Sequence, residues 1–240
     1  MLPLLDQLQG VMKKSGLVRF AAIFGSCLDG SSDRFSDIDL LVVCKEDDER
    51  KAIQGDVLKL SHRMGRTIHL NDYIDDEFKM HLKHHDYKLA SILEGSLLLI
   101  GDEDYVEPLK LFEGSVDEKS IAFNEARGVK VLNRALENLE KFEQCAALSS
   151  HHPELLWRTR YFQSLCIRDS HFALGYLLAS QRMKRTGNVT TLRELLSEGT
   201  PLMRTLISID KRNKRVGGVS LRETEECVLK VRSEYAKITT

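Results

Sequence analysis

The fold of this chain is decided by AAIFGS at residues 21–26 and, ten residues later, DIDLLVV at residues 37–43. Both runs are short and rich in apolar residues, as in buried strands, and the stretch between them is polar and turn-rich. Gly25 lets the backbone approach a ligand closely. Asp37 and Asp39 stand two residues apart, so on a strand their carboxylates project from one face. The segment predicts two strands with a carboxylate pair near a glycine turn.

This combination is suited to binding the phosphates of a nucleotide. The backbone amides after Gly25 and the hydroxyl of Ser26 can donate to phosphate oxygens. Two carboxylates on a rigid face, Asp37 and Asp39, can hold Mg²⁺ or Mn²⁺ against a triphosphate. Such a metal neutralises charge on the transferred group and activates an attacking hydroxyl. We therefore expect a nucleoside triphosphate, ATP or another, as substrate.

With this spacing, residues 21–43 resemble the minimal nucleotidyltransferases of the DNA polymerase beta superfamily. The resemblance implies that Asp37 and Asp39 are catalytic residues and metal ligands. The nucleotide contacts that it implies are Gly25, Ser26 and Ser36. The motif is specific because the glycine-serine pair, the two aspartates and the flanking strands occur together.

The third catalytic acid of that superfamily is not evident in this chain. It usually comes from a following strand, which here corresponds to residues 66–73 and holds His69 at the expected place. Asp72 is three residues further on, so on a regular strand it faces the other side unless a bulge redirects it. Imidazole can act as a base or as a ligand. Both His69 and Asp72 are kept as catalytic candidates.

The pattern of the chain changes after about residue 115, which predicts an α+β fold of two domains. Residues 1–115 are expected to form a small mixed sheet flanked by helices, and residues 116–240 an all-α bundle. The predicted strands cover residues 17–24, 37–43, 67–73 and 97–100. The main predicted helices cover residues 46–64, 121–145, 153–180, 190–196, 201–209 and 220–238, and residues 75–93 are expected to form one or two more. Ser220 and Glu223 have the spacing of a capping box.

The helical half resembles the HEPN-type bundles found beside minimal nucleotidyltransferases, through residues 172–179 and 212–220. Ribonucleases of that group need an arginine followed by a histidine four to six residues later. Neither Arg212 nor Arg215 has one, so RNA cleavage is not predicted. The basic run from Lys211 to Arg215 is expected to be a solvated helix end. Trp157, Tyr161 and Phe162 could form a stacking face, but core packing is the expectation.

Composition restricts the remaining classes. Lys and Arg number 35 against 36 Asp and Glu, so net charge points to no general nucleic-acid or membrane partner. The five cysteines form no C-x-x-C pair, which argues against a disulfide framework or a zinc site. No apolar run is long enough to cross a membrane, and no signal sequence is evident. A cytoplasmic protein without a membrane partner is expected, and a homodimer is left open.

Two functional hypotheses follow. In the first, the chain is an enzyme that transfers a nucleoside monophosphate, AMP from ATP, to a hydroxyl of a small molecule, a protein or an RNA, with the helical half supplying the acceptor pocket. In the second, it is a nucleotide-binding regulatory or antitoxin-like interaction protein with weak or no turnover, because the third acid is absent. A carboxylate beside Asp37 and Asp39 would favour the first, and a bare His69 the second. An RNA-binding module that uses residues 211–215 is a third option.

Overall fold

The structure, a computed structural model, describes residues 2–28, 37–101, 115–149, 151–216 and 219–239. The chain divides into two compact units, Met1–Ser115 and Val116–Thr240. Among the described residues, strands occur in the first unit alone, and the second is helical. The predicted α+β class, with a small mixed sheet followed by a helical region, is confirmed.

A four-stranded sheet organises the first unit. Its order is β3-β2-β1-β4, with β1 (Val18–Phe24), β2 (Ile38–Cys44), β3 (Ile68–Ile74) and β4 (Leu97–Gly101). β1 runs antiparallel to β2 and β4, whereas β2 and β3 are parallel. The helices of this unit are α1 (Leu2–Ser15), α2 (Asp47–Met64), α3 (Asp75–Lys83) and α4 (Tyr87–Glu94). The crossover from β2 to β3 runs through α2, as a parallel connection requires.

Strand alternation gives this sheet two apolar faces. Ile38, Leu40 and Val42 of β2 belong to a core cluster shared with residues of α1 and α2. Leu41 and Val43 point the other way, into a cluster shared with residues of α3 and α4. Because helices cover both faces, β2 is buried almost throughout and appears in sequence as a nearly continuous apolar run.

Five helices and a short 3₁₀ turn make up the described part of the second unit. They are α5 (Glu118–Ser149), the turn Pro153–Leu155, α6 (Leu156–Thr186), α7 (Leu192–Ser197), α8 (Pro201–Val216) and α9 (Leu221–Thr239). The predicted capping box is present, since Ser220 N donates to Glu223 Oε2 at 3.0 Å and Glu223 N donates to Ser220 Oγ at 3.1 Å. α8 continues past the predicted end at Ile209, so Lys211 and Arg212 lie within a helix.

A buried carboxylate joins the two longest helices. Asp169 of α6 is fully buried and accepts two hydrogen bonds from the Arg134 guanidinium of α5, at 2.7 and 2.8 Å. Asn138 adds a third at 3.2 Å. A buried charge is tolerated when it is paired and hydrogen-bonded in this way. This network therefore sets how α5 and α6 register against each other.

The expectation of core packing for the aromatic residues of α6 is wrong for two of them. Trp157 is 63% exposed and Tyr161 is 54% exposed. They stand one helical turn apart and share a face. The buried face of the same helix begins at Gln163 and Cys166, which is why the first two turns project their rings into solvent.

Within the described ranges, none of the helices combines the length and apolarity that a membrane span requires.

Candidate nucleotide site

Pairing across the sheet brings the predicted site residues together. Phe24, the last residue of β1, pairs with Asp39 of β2, and Asp39 pairs in turn with His69 of β3. The chain leaves β1 directly into the 3₁₀ turn Gly25–Cys27. The turn, the carboxylate and the imidazole therefore meet at one end of the strands, around the first residues of β2.

The turn is built so that a carboxylate can lie against it. Gly25 has φ +80°, a left-handed conformation that favours glycine. A Cβ at Gly25 would lie well inside 3.0 Å of Asp39 Oδ2, so a larger residue would force this carboxylate to move. The turn closes with Leu28 N donating to Gly25 O at 3.0 Å. The predicted glycine turn thus packs directly on one of the two predicted metal ligands.

The imidazole of His69 lies between the two carboxylates. Its Nε2 is 3.7 Å from Asp37 Oδ2, and its Nδ1 is 3.5 Å from Asp39 Oδ1. The side chains of Asp37, Asp39 and His69 are 24%, 27% and 36% exposed, which makes them accessible to a ligand. As predicted from their spacing, the two aspartates face the same way. A histidine stands at the position where the family resemblance implies an acid.

Asp72 lies elsewhere. β2 and β3 pair in continuous register, with Asp72 opposite Val42, so no bulge redirects its side chain. Val42 belongs to the face covered by α2, and Gln54 of α2 donates a short hydrogen bond to Asp72 Oδ2. Asp72 therefore points away from Asp37 and Asp39. Of the two catalytic candidates on β3, the structure brings His69 alone to the carboxylate pair.

The side chains of two predicted nucleotide contacts, Ser26 and Ser36, lie outside the described part of the structure. Ser26 is the second residue of the 3₁₀ turn, but its side chain lies outside what the structure describes. Ser36 falls outside the described residues. Both stay predictions.

The oxygen donors present suit a divalent cation bound with a nucleotide. Mg²⁺ usually takes one or two protein carboxylates, with substrate phosphates and water as its other ligands. Asp37 and Asp39 supply such a pair on one accessible face. In the described part of the chain, no three His, Cys, Asp or Glu side chains are arranged to hold an ion by themselves. The residues therefore fit a metal that arrives with a triphosphate.

Sequence reasoning assigned no role to Cys27, the last residue of the turn. Its thiol is buried and donates to Phe24 O at 3.2 Å. Burial raises the pKa of Cys27, the negative charge of Asp39 raises it further, and the positive charge of Arg66 opposes both. The positive charge of Arg66 therefore acts on the last residue of the turn. Its position just before β3 was the available signal.

Comparisons with known proteins agree with this geometry. Residues 6–101 match the family described as polymerase beta nucleotidyltransferase. No curated protein sequence matches the chain.

Three solved structures show partial likeness. A toxin-antitoxin structure with AMP-PNP is 17% identical, with 45% of this chain and 86% of that chain covered and a TM-score of 0.34. A spectinomycin adenyltransferase from Enterococcus faecialis, solved with ATP and spectinomycin, is 12% identical, with 95% and 97% covered and a TM-score of 0.45. A nucleotidyltransferase-like protein from Exiguobacterium sibiricum is 10% identical, with 94% and 73% covered and a TM-score of 0.32.

These low TM-scores support no conclusion about activity, and the family match is the more specific similarity. That match spans every strand of the sheet and includes the glycine turn, both aspartates and His69. Residues 6–101 of this chain are therefore similar to the polymerase beta nucleotidyltransferase family over the whole of the sheet.

Proposed function

We propose that the first unit binds a Mg-nucleoside triphosphate at Asp37 and Asp39 and transfers a nucleoside monophosphate, AMP from ATP, to a hydroxyl group. The observation that carries the proposal is the packing of the Asp39 carboxylate on Gly25. Because of this contact, the turn that can bind phosphate and the carboxylates that can bind a metal form one site. Mn²⁺ offers the same oxygen preference and could replace Mg²⁺.

In the proposed reaction, the hydroxyl oxygen of the acceptor attacks the α-phosphorus of ATP. The bond to the bridging oxygen breaks, pyrophosphate leaves, and the acceptor carries AMP. The metal supplies charge neutralisation on the phosphates. We expect backbone N–H groups of the Gly25–Cys27 turn to donate to phosphate oxygens, and Asp37 and Asp39 would hold the metal.

His69 is our candidate for the residue that takes the proton from the attacking hydroxyl. Its ring is the group nearest to the carboxylate pair on β3, at 3.5 and 3.7 Å. Asp72 is not assigned this role, because its side chain lies on the opposite face of the sheet and is bonded to Gln54. The acceptor class remains a small molecule, a protein or an RNA.

One observation favours a second candidate function. The position that faces Asp39 on β3 holds an imidazole in place of a carboxylate. Mg²⁺ prefers oxygen ligands, so a site without a third acid can retain the nucleotide and lose turnover. The alternative is a nucleotide-binding regulatory or antitoxin-like interaction protein.

The test uses ATP labelled at the α-phosphate, Mg²⁺ and a panel of hydroxyl acceptors, including aminoglycosides, proteins and RNA. We expect the label to move from ATP to an acceptor, with one pyrophosphate released per transfer. The double variant Asp37→Asn/Asp39→Asn is the control and should transfer nothing. Tight ATP binding without transfer to any acceptor would support the regulatory alternative, and no ATP binding would reject both.

A further inference from the structure

The exposed aromatic face of α6 is a second surface that the proposed nucleotide site does not use. We define it by Trp157 and Tyr161, with Arg158 and Arg160 beside them, and call it the α6 aromatic face. Large aromatic side chains are seldom left this open, and Trp157 and Tyr161 are 63% and 54% exposed. Since they are separated by one helical turn, their rings lie side by side along the helix.

The rings of this face are held by neighbouring groups. The Arg158 guanidinium lies over the Trp157 ring, 5.3 Å from its centroid. The Tyr161 ring meets Phe162 edge-on, with centroids 5.5 Å apart and planes at 65°. Lys141 of α5 lies over Phe162 at 5.9 Å. Cation–π contacts of this kind orient aromatic rings while leaving much of their surface open.

The charge on this stretch of α6 has one sign. From residue 155 to residue 168 the sequence contains three arginines and no aspartate or glutamate. Arg158 and Arg160 make no ion pair with any residue that the structure describes. Glu154, just before the helix, is already 3.1 Å from His152. Acidic residues begin again at Asp169, which Arg134 neutralises. The first turns of α6 therefore carry positive charge without a carboxylate of their own.

Open aromatic rings interleaved with unpaired arginines match one kind of partner. We propose that the α6 aromatic face binds a single-stranded nucleic acid, with bases stacked on Trp157 and Tyr161 and phosphates contacted by Arg158 and Arg160. Stacking needs bases that are free of a duplex, and arginines track the backbone without sequence preference. A protein partner would use the same aromatic residues but would leave no dependence on bases. This proposal is independent of the function proposed for the first unit.

Trp157 is the only tryptophan of the chain, so its fluorescence reports directly on this face. The experiment titrates the full chain with an oligouridylate of about 12 nucleotides and with an oligothymidylate of the same length. This length lies within the range of typical single-strand binding sites. Both single strands should quench Trp157 saturably and more strongly than a duplex. Affinity should fall as salt rises, because bound phosphates release counterions.

Two variants separate stacking from charge. Tyr161→Ala should weaken binding about tenfold, as expected for one lost base–aromatic stack. Arg158→Gln/Arg160→Gln should reduce the slope of log affinity against log salt by about 1.4, or about 0.7 for each phosphate contact. Leu58→Ala is the matched control, since Leu58 is a comparably exposed apolar residue, 59% accessible, on α2 of the first unit, and it should change nothing. Circular dichroism checks that each variant is folded.

Three results would overturn the proposal. The first is no quenching by either single strand at low salt. The second is equal binding and equal quenching of Trp157 by dextran sulfate, a polyanion without bases. That result would show that charge accounts for binding without any base stacking. The third is quenching that depends on protein concentration without any oligonucleotide, which would make the face a contact between copies of this chain.

Discussion

The carboxylate of Asp39 lies directly against the α-carbon of Gly25, across the pairing of β1 with β2. Two requirements meet at this glycine: a left-handed backbone and the absence of a side chain. The first shapes the turn, and the second admits the carboxylate. This contact makes one site of two sequence motifs that are ten residues apart.

Gly25→Ala should therefore abolish Mg²⁺-dependent ATP binding, because the new Cβ displaces Asp39. Gly65→Ala is the control, since Gly65 also has positive φ, +59°, but its Cβ would meet nothing within 4 Å. Each variant should lose about 1–2 kcal/mol of stability from the left-handed backbone. Urea unfolding measures that loss, and calorimetric titration measures ATP binding. If both variants bind ATP like the wild type, the contact with Asp39 does not matter to the site.

The carboxylate pair gives a second prediction. Asp37→Asn/Asp39→Asn removes both charges with little change in shape, so Mg²⁺-dependent ATP affinity should fall below detection in calorimetry. Asp72→Asn makes the same chemical change on the opposite face of the sheet, where Gln54 bonds it, and should leave affinity unchanged. Unchanged affinity in the double variant would remove Asp37 and Asp39 from the nucleotide site.

His69 and Asp72 are separated by a kinetic prediction. If transfer occurs, His69→Ala should slow it at least about 100-fold, the low end for loss of a general base. ATP binding should survive, because imidazole is a poor ligand for Mg²⁺. Asp72→Ala should transfer at the wild-type rate. Pyrophosphate release with a saturating acceptor is the measurement, and equal rates for His69→Ala and the wild type would place the base elsewhere.

The buried carboxylate of the second unit predicts a large stability effect. Arg134→Met removes two hydrogen bonds from Asp169, which is fully buried, and should cost about 2–3 kcal/mol in urea unfolding. Lys184→Met is the control. Lys184 pairs with Glu125 at 2.6 Å, but both side chains are largely exposed, so the loss should stay below about 1 kcal/mol. Similar losses for the two variants would show that burial of Asp169 adds nothing.

Cys44, at the end of β2, predicts a dependence of stability on alkaline pH. Burial raises the pKa of its thiol from 9.0 to about 11. Between these two values the unfolded chain releases a proton that the folded chain keeps, so the free energy of unfolding falls as pH rises. The slope is at most about 1.4 kcal/mol per pH unit.

Between pH 9 and 11, the free energy of unfolding should fall less with pH in Cys44→Val than in the wild type. Below pH 8 the two proteins should depend on pH in the same way, and urea unfolding measures both ranges. Cys145→Val, a change at a partly exposed thiol in the second unit, is the control and should keep the wild-type dependence. Identical pH profiles for Cys44→Val and the wild type would contradict the assignment.

Much of the architecture was predictable because it depends on neighbours along the chain. The alternation of Ile38, Leu40 and Val42 with Asp37 and Asp39 is a property of one strand, and it indicated both the buried face and the carboxylate pair. The capping box at Ser220 is equally local. The end of α8 was missed because the apolar stripe stops near Ile209, while the basic residues that follow are good helix formers and extend the helix.

Other features depend on contacts between distant segments. Sequence spacing showed that Asp72 should face away from His69, but only the pairing of β2 with β3 shows that no bulge intervenes. Nothing in the local sequence distinguishes the exposed Trp157 from the buried Gln163, since neighbouring helices decide which side of α6 is covered.

By itself, the sequence determined the order of strands and helices, the nucleotidyltransferase motif and the shared face of Asp37 and Asp39. The tertiary structure decided that the Asp39 carboxylate packs on Gly25 and that His69 lies between the two carboxylates. It also decided that the rings of Trp157 and Tyr161 are exposed to solvent. The physical reason is that backbone periodicity is set within a few residues, whereas side-chain surroundings are set by whichever strand or helix packs alongside.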